Sequence, residues 1–187
     1  MNIGIIMGST RPGRIGEGVA KWVFEQAQTR SEVNYHLIDL LDYNLPLLDE
    51  PNPPMMGNYT KEHTKKWAAA IAKLDGFVFV TPEYNHSTSA ALKNAFDYLY
   101  KEWNNKACGF VSYGSAMGAR AVENLRLVAG ELKMADVRNQ LMLSLHSDFE
   151  NYKVFKPSSH HEKSLKAVFD DVESWSGALK TIRKNIA

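Results

Sequence analysis

The chain has 187 residues, 44% of them hydrophobic, which is enough for one domain with a full core and near the upper edge of single-domain size. Its 22 basic and 21 acidic residues leave a net charge of +1, so no global field draws it to nucleic acid or to a membrane surface. The single cysteine, Cys108, lies inside an apolar run and excludes an intrachain disulfide; no apolar run nears the ~20 residues of a membrane span, Met1-Asn2 leads straight into a strand with no signal-peptide pattern, and a soluble cytoplasmic protein is expected.

Ile3–Met7 is a short apolar run of the kind a buried parallel strand needs. It breaks into Gly8-Ser9-Thr10-Arg11-Pro12-Gly13-Arg14-Ile15-Gly16 and then a helix over Ile15–Thr29, with Val19, Trp22, Val23 and Ala27 on one face. Val33–Leu40 alternates apolar and polar residues as a second strand. The Pro-rich stretch Tyr43–Tyr59 is too long for an ordinary connection and reads as a functional or interface loop. A helix over Thr60–Lys73, N-capped by Thr60, precedes the continuous apolar strand Gly76–Thr81. Loop Pro82–Ser89, with Ser87 or Ser89 as N-cap, leads into a helix over Ala90–Trp103. Strand four is Lys106–Tyr113, followed by loop Gly114–Gly118 and a helix over Ala119–Lys133. Val137–Leu145 is strand five, His146–Glu162 is polar and irregular, and Lys163–Lys184 is the last helix.

Strands alternating with helices predict one domain over 1–187 with an α/β fold: a flavodoxin-like, doubly wound, five-stranded parallel sheet in the order 2-1-3-4-5, with helices on both faces. Ligands of such sheets sit at the carboxyl edge, at the switch between strands one and three. The loops Gly8–Gly16, Pro82–Ser89 and Gly114–Gly118 therefore converge.

The first of these loops asks for a phosphate. A helix N-terminus presents unpaired N–H groups and partial positive charge, glycine lets an anion approach, and Ser9, Thr10, Arg11 and Arg14 add donors. Arg14 and Ile15 stand where a nucleotide-triphosphate loop needs Lys and then Ser or Thr; isoleucine cannot ligate magnesium, which argues against an ATPase or kinase. Only Gly13-x-x-Gly16 survives of the dinucleotide fingerprint. Asp39 ends the second strand where a ribose wants a carboxylate, although an Asp there equally caps the following turn. None of the three loops pairs a nucleophile with a base, and His63, His86 and His160-His161 lack metal-ligand spacing. A phosphate cradle without acid, base or nucleophile suits a site whose cofactor brings the chemistry. A flat ring would lie across Pro82-Glu83-Tyr84-Asn85, with Gly114 allowing close approach. Tyr84 and Tyr113 equally suit rim or core positions, Pro82 a strand end, and Asn85 a turn.

Ile3-Gly4-Ile5-Ile6-Met7-Gly8-Ser9-Thr10-Arg11, then Thr81-Pro82-Glu83-Tyr84-Asn85 with Ala90-Ala91-Leu92-Lys93-Asn94-Ala95-Phe96-Asp97, then Ser112-Tyr113-Gly114, resemble the NADPH-dependent FMN reductases of the flavodoxin-like superfamily, a group that includes quinone reductases, azoreductases and chromate-reducing enzymes. The resemblance runs in order from residue 3 to about 145; the Pro-Glu-Tyr-Asn…Leu-Lys-Asn block is its specific part, Tyr100-Lys101-Glu102-Trp103 looks like the quinone-reducing members, and 146–187 match loosely. It implies FMN as bound cofactor, NADPH or NADH as hydride donor, flavin N5 rather than a side chain as the reacting centre, and ping-pong transfer of two electrons to a quinone, azo compound, metal ion complex or free flavin. It places Ser9, Arg11, Arg14, Ile15 and Gly16 at the FMN phosphate, Pro82, Glu83, Tyr84 and Asn85 on the isoalloxazine, and Tyr113 and Gly114 on its other side. Many relatives carry more hydroxyls in the first loop, so phosphate binding here leans on Arg11 and Arg14, although arginines there are equally compatible with charge that merely flanks the site. The resemblance also implies a homodimer or homotetramer, with Tyr98, Trp103 and the 43–59 loop as candidate contacts, and His86 either overhangs the ring or is solvated. Readings from other classes are a flavodoxin-like electron carrier or flavin-binding regulator without substrate turnover, although such carriers are usually strongly acidic, and a nucleotide-binding module with no redox role.

Overall fold

The structure, a computed structural model, describes residues 1–186. Strands β1 (Asn2–Met7), β2 (Asn34–Asp39), β3 (Gly76–Pro82), β4 (Ala107–Gly114) and β5 (Ala135–Ser144) form one parallel sheet in the order β2-β1-β3-β4-β5, as expected from the sequence. Helices α1 (Gly16–Ala27) and α5 (His160–Ile186) cover one face; α2 (Glu62–Ala72), α3 (Ala90–Asp97) and α4 (Ala119–Glu131) cover the other.

With both faces covered, β3 and β4 are buried along their whole length, which is why their sequences are continuous apolar runs. Successive side chains still point to opposite layers. Phe77, Phe79 and Phe110 join Trp67, Phe96 and Trp103 in an aromatic cluster under α2–α4, while Val78, Val80 and Val111 pack toward α1 and α5. At Gly109 of β4 an added Cβ would lie 2.8 Å from both Val168 and Val172, so the missing side chain lets α5 rest directly on the strand.

Three local expectations change. Helix α3 ends at Asp97 rather than Trp103, because the chain turns to bring Trp103 into the core, where its indole N–H donates to the Phe96 carbonyl at 3.3 Å. Tyr98 and Trp103 are therefore fully buried, and their proposed part in subunit contact is corrected: the Tyr98 hydroxyl instead anchors the Pro-rich loop at Pro46 and Asp49. Thr60 does not cap α2. The Glu50 carboxylate of the Pro-rich loop reaches across to accept the N–H groups of Thr60 and Lys61, satisfying donors that precede the helix. Within the segment read as irregular, β6 (Phe149–Glu150) and β7 (Val154–Phe155) form a short antiparallel hairpin. No helix among the described residues is long and apolar enough to cross a membrane.

The amino-end edge of the sheet is built for stability. Asp75, buried, accepts from the Asn2 N–H and pairs with Lys180 and Arg183 of α5. Beside it the Lys106 ammonium, also buried, donates to the Ile71 carbonyl at 2.9 Å in the last turn of α2. Burial pushes the Lys106 amine down from 10.5 to about 7. Between those two values the unfolded chain binds a proton that the folded chain does not, so this group makes stability rise with pH across that window. Below it both states are protonated and the full cost of burying the charge is present. Melting temperatures measured from pH 6 to pH 10 are expected to show the wild type gaining on Lys106→Met as pH rises.

Candidate active site

At the carboxyl edge three loops meet, each held by its own bracing. The Gly8 N–H continues the β1–β3 ladder to the Val80 carbonyl at 2.9 Å. Ser89 is the N-cap of α3, accepting the Leu92 N–H at 3.1 Å, and its hydroxyl also donates to the Gly8 carbonyl. One serine thus fixes a helix start and the phosphate-type loop together. Ser9 is 1% exposed; its Oγ bonds the Tyr84 hydroxyl at 3.1 Å and faces the Arg11 N–H. Helix α1 begins at Gly16 with Ile15 as an N-cap that has no side-chain acceptor, so no capping side chain claims the donors of its first turn, of which the Gly18 N–H bonds the Ile15 carbonyl at 3.2 Å. The N–H groups of Gly13 and Ile15 have no partner among the described residues. A Cβ at Gly16 would overlap the Tyr113 hydroxyl, so glycine is what lets the first turn of α1 sit on that ring.

Arg14 and Asp39 form a bidentate ion pair. Both Arg14 Nη atoms donate to the Asp39 carboxylate, one at 2.7 Å, and Nη1 also donates to the Ser9 carbonyl at 2.6 Å. Asp39 additionally accepts the Leu41 N–H, capping the 3₁₀ turn that follows β2. Burial acts to raise the Asp39 carboxyl, but the Arg14 and Leu41 donors outweigh it and hold it below the usual carboxylate range. Of the two readings open for Asp39, the structure shows the cap, together with an ion pair the sequence did not disclose. Arg14 braces the first loop to the second strand, while Arg11 is exposed and has no ion pair among the described residues.

The second loop is a two-residue hairpin turn. Tyr84 and Ser87 exchange backbone hydrogen bonds at 2.9 and 3.1 Å, with Asn85 and His86 both left-handed at φ 48° and 74°. The outward N–H groups of Asn85 and His86 have no partner among the described residues. Behind the turn the nearly buried Glu83 side chain accepts the Arg120 N–H at 3.0 Å and pairs with its guanidinium, capping α4 across the third loop. Burial works against the charge of Glu83, but Arg120 holds its carboxyl below the ordinary value. Arg120 also contacts His86 Nδ1 at 3.2 Å, so that ring faces α4. In the third loop, Gly118 at φ 72° reverses the chain where a Cβ would strike Ser112.

Between the loops lies a cleft of about 360 Å³. Arg11, Arg14 and Ile15 line one end, and Pro82, Glu83, Tyr84, Tyr113 and Gly114 line the rest. Three of the expected residues stand outside its wall: Ser9 lies beneath Tyr84, Gly16 above Tyr113, and Asn85 at the turn. Tyr113 is 4% exposed, its hydroxyl pushed well above its normal range by burial, so it is chiefly a core ring. Leu145, Tyr152 and Lys153 complete the wall and were missed. The last two sit on the β6–β7 hairpin, whose strands are too short to leave a periodic signal.

The sequence matches the family described as NADPH-dependent FMN reductase over residues 1–148. An NAD(P)H-dependent FMN reductase of Schizosaccharomyces pombe is 44% identical over 163 residues, covering 86% of this chain and 82% of its own. One from Saccharomyces cerevisiae is 35% identical over 145 residues, covering 72% and 76%. Among solved structures, the flavoenzyme NAD(P)H:(acceptor) oxidoreductase FerB from Paracoccus denitrificans superposes with a TM-score of 0.69 at 18% identity, covering 96% of this chain and 97% of its own, a likeness of fold.

If the Arg14–Asp39 pair joins the first loop to β2, a double-mutant cycle with Arg14→Ala and Asp39→Ala, read by chemical denaturation, gives a coupling energy of about 1–2 kcal/mol. Additive losses would show that the two side chains act separately.

Proposed function

The chain belongs to the NADPH-dependent FMN reductase family and is a flavin-dependent NAD(P)H oxidoreductase, and we propose that its cleft holds FMN and serves NAD(P)H and a small electron acceptor in turn, by a ping-pong scheme. The observation that carries this is a cleft at the β1–β3 switch, donor-rich at one end and walled largely by apolar side chains at the other.

The residues fit the cofactor. Arg11, the N–H groups of Gly13 and Ile15 and the positive end of α1 suit a phosphate. Pro82, Tyr84 and Leu145 offer apolar surface to a ring, and the outward N–H groups of Asn85 and His86 are available to its polar edge. Bound there, FMN would supply the hydride-accepting and electron-transfer chemistry that no side chain of the cleft offers. The chain contributes orientation and charge. Glu83 is neutralised by Arg120 and so does not oppose negative charge developing in the cleft, and the open mouth admits acceptors of varied shape: quinones first, with azo compounds, metal ion complexes and free flavin as further candidates.

A homodimer or homotetramer of the cytoplasm fits the same reading. Leu47, Leu48, Met55 and Met56 of the Pro-rich loop are exposed, Leu47 by 82%, and suit contact with a second copy. Leu47→Asp is expected to lower the mass measured by light scattering.

Purified protein is expected to be yellow, absorbing near ~450 nm, and to oxidise NADPH with menadione in parallel double-reciprocal plots. A colourless protein that takes up no FMN would sink the proposal, and flavin binding without turnover would favour an electron carrier. Arg11→Ala should weaken FMN binding roughly ten- to a hundredfold through loss of a charge-assisted contact.

A further inference from the structure

The phosphate end of the cleft has one cation fewer than its sequence promises, and the β6–β7 hairpin supplies another. Arg14 is engaged by Asp39 and the Ser9 carbonyl. Arg11 alone then faces an anion that carries close to two negative charges at neutral pH. Lys21, which lines the groove along α1, is paired with Glu17, and farther off Lys156 is paired with Glu150 and Arg120 with Glu83. Lys153 is exposed and has no ion pair or side-chain hydrogen bond among the described residues. It lines the cleft, and it also lines the groove that continues from it along α1; both cavities share Gly13, Arg14 and Ile15 with it. Lys153 therefore shares two cavities with the first loop, whose Gly13 and Ile15 N–H groups have no partner among the described residues.

The hairpin is fixed at its base and turned sharply at its tip. Phe149, buried, lies 6.2 Å from the Tyr113 ring and 5.2 Å from Phe155, which in turn meets Trp22 of α1 edge-on at 5.6 Å. Asp148, 3% exposed, accepts the Ser144 N–H at 2.7 Å and bonds His161 Nε2 at 2.8 Å, tying the end of β5 to the start of α5. At the tip Asn151 and Tyr152 are both left-handed, at φ 50° and 57°, and Lys153 follows them directly. The whole hairpin lies beyond residue 148, where the family match ends.

We propose that Lys153 is a binding residue for the FMN phosphate, supplying from the hairpin the second positive charge that Arg14 does not give. This rests on the assignment of the cleft to FMN. The apoprotein is titrated with FMN and, separately, with riboflavin, which lacks the phosphate, and flavin fluorescence quenching is followed. Lys153→Ala should weaken FMN by about five- to tenfold and leave riboflavin unchanged, with Lys153→Arg restoring most of the loss. The salt dependence of FMN binding should become shallower in the alanine variant. Unchanged FMN affinity would overturn the proposal, as would an equal weakening of both flavins, which would mark a merely structural hairpin. Wild-type protein that binds both flavins equally well would overturn it while leaving a flavin site; wild-type protein that binds neither refutes the function proposed above.

Discussion

Everything at the candidate active site depends on one constraint: β1 and β3 lie side by side while the helices that follow them leave toward opposite faces of the sheet. Two parallel neighbours whose crossovers diverge cannot close over their own carboxyl ends. The loops after β1 and β3 are pushed apart, and the gap between them is the cleft. Tyr113 and Gly114 at the end of β4 and the hairpin after β5 border the same gap, so residues from four parts of the chain share one wall.

Holding the gap open takes polar side chains, and much of the polar inventory of the loops does this work. Ser89 fixes Gly8, Ser9 meets Tyr84, Glu83 caps α4 through Arg120, and Arg14 grips Asp39. Each satisfies a buried group that would otherwise cost free energy. Among the described residues, what remains for a ligand is mostly backbone: the N–H groups of Gly13, Ile15, Asn85 and His86, with Arg11 and Lys153 as unpaired cations. A site made of main-chain donors on a braced frame is preorganised, since those donors move little when charge develops beside them.

The strands and their order were legible because burial on both faces demands continuous apolar runs, and Gly76–Pro82 and Ala107–Gly114 have them. Loop convergence followed from topology alone. Misreadings arose where one pattern serves two ends. Leu92, Phe96, Leu99 and Trp103 keep helical spacing, yet the helix stops at Asp97 and Trp103 reaches the core from a turn. Thr60 has the chemistry of a cap, but a carboxylate ten positions earlier occupies its donors. The two-residue strands β6 and β7 have no period to detect.

By itself the sequence determined the fold class, the strand order and which three loops meet, because hydrophobic periodicity and chain connectivity are local and cumulative properties. It also carried the family, through a run of residues whose order survives from residue 3 to about 145. Only the tertiary structure decided which polar side chains are free to meet a ligand. Arg11 and Arg14 are near-identical in sequence terms; one lines the cleft with no ion pair among the described residues and the other is taken by Asp39, a partner 25 positions away. Lys153 is one of many lysines until the hairpin brings it to the wall of the cleft. Whether a charge is available depends on what has already paired with it, and pairing is set by the fold.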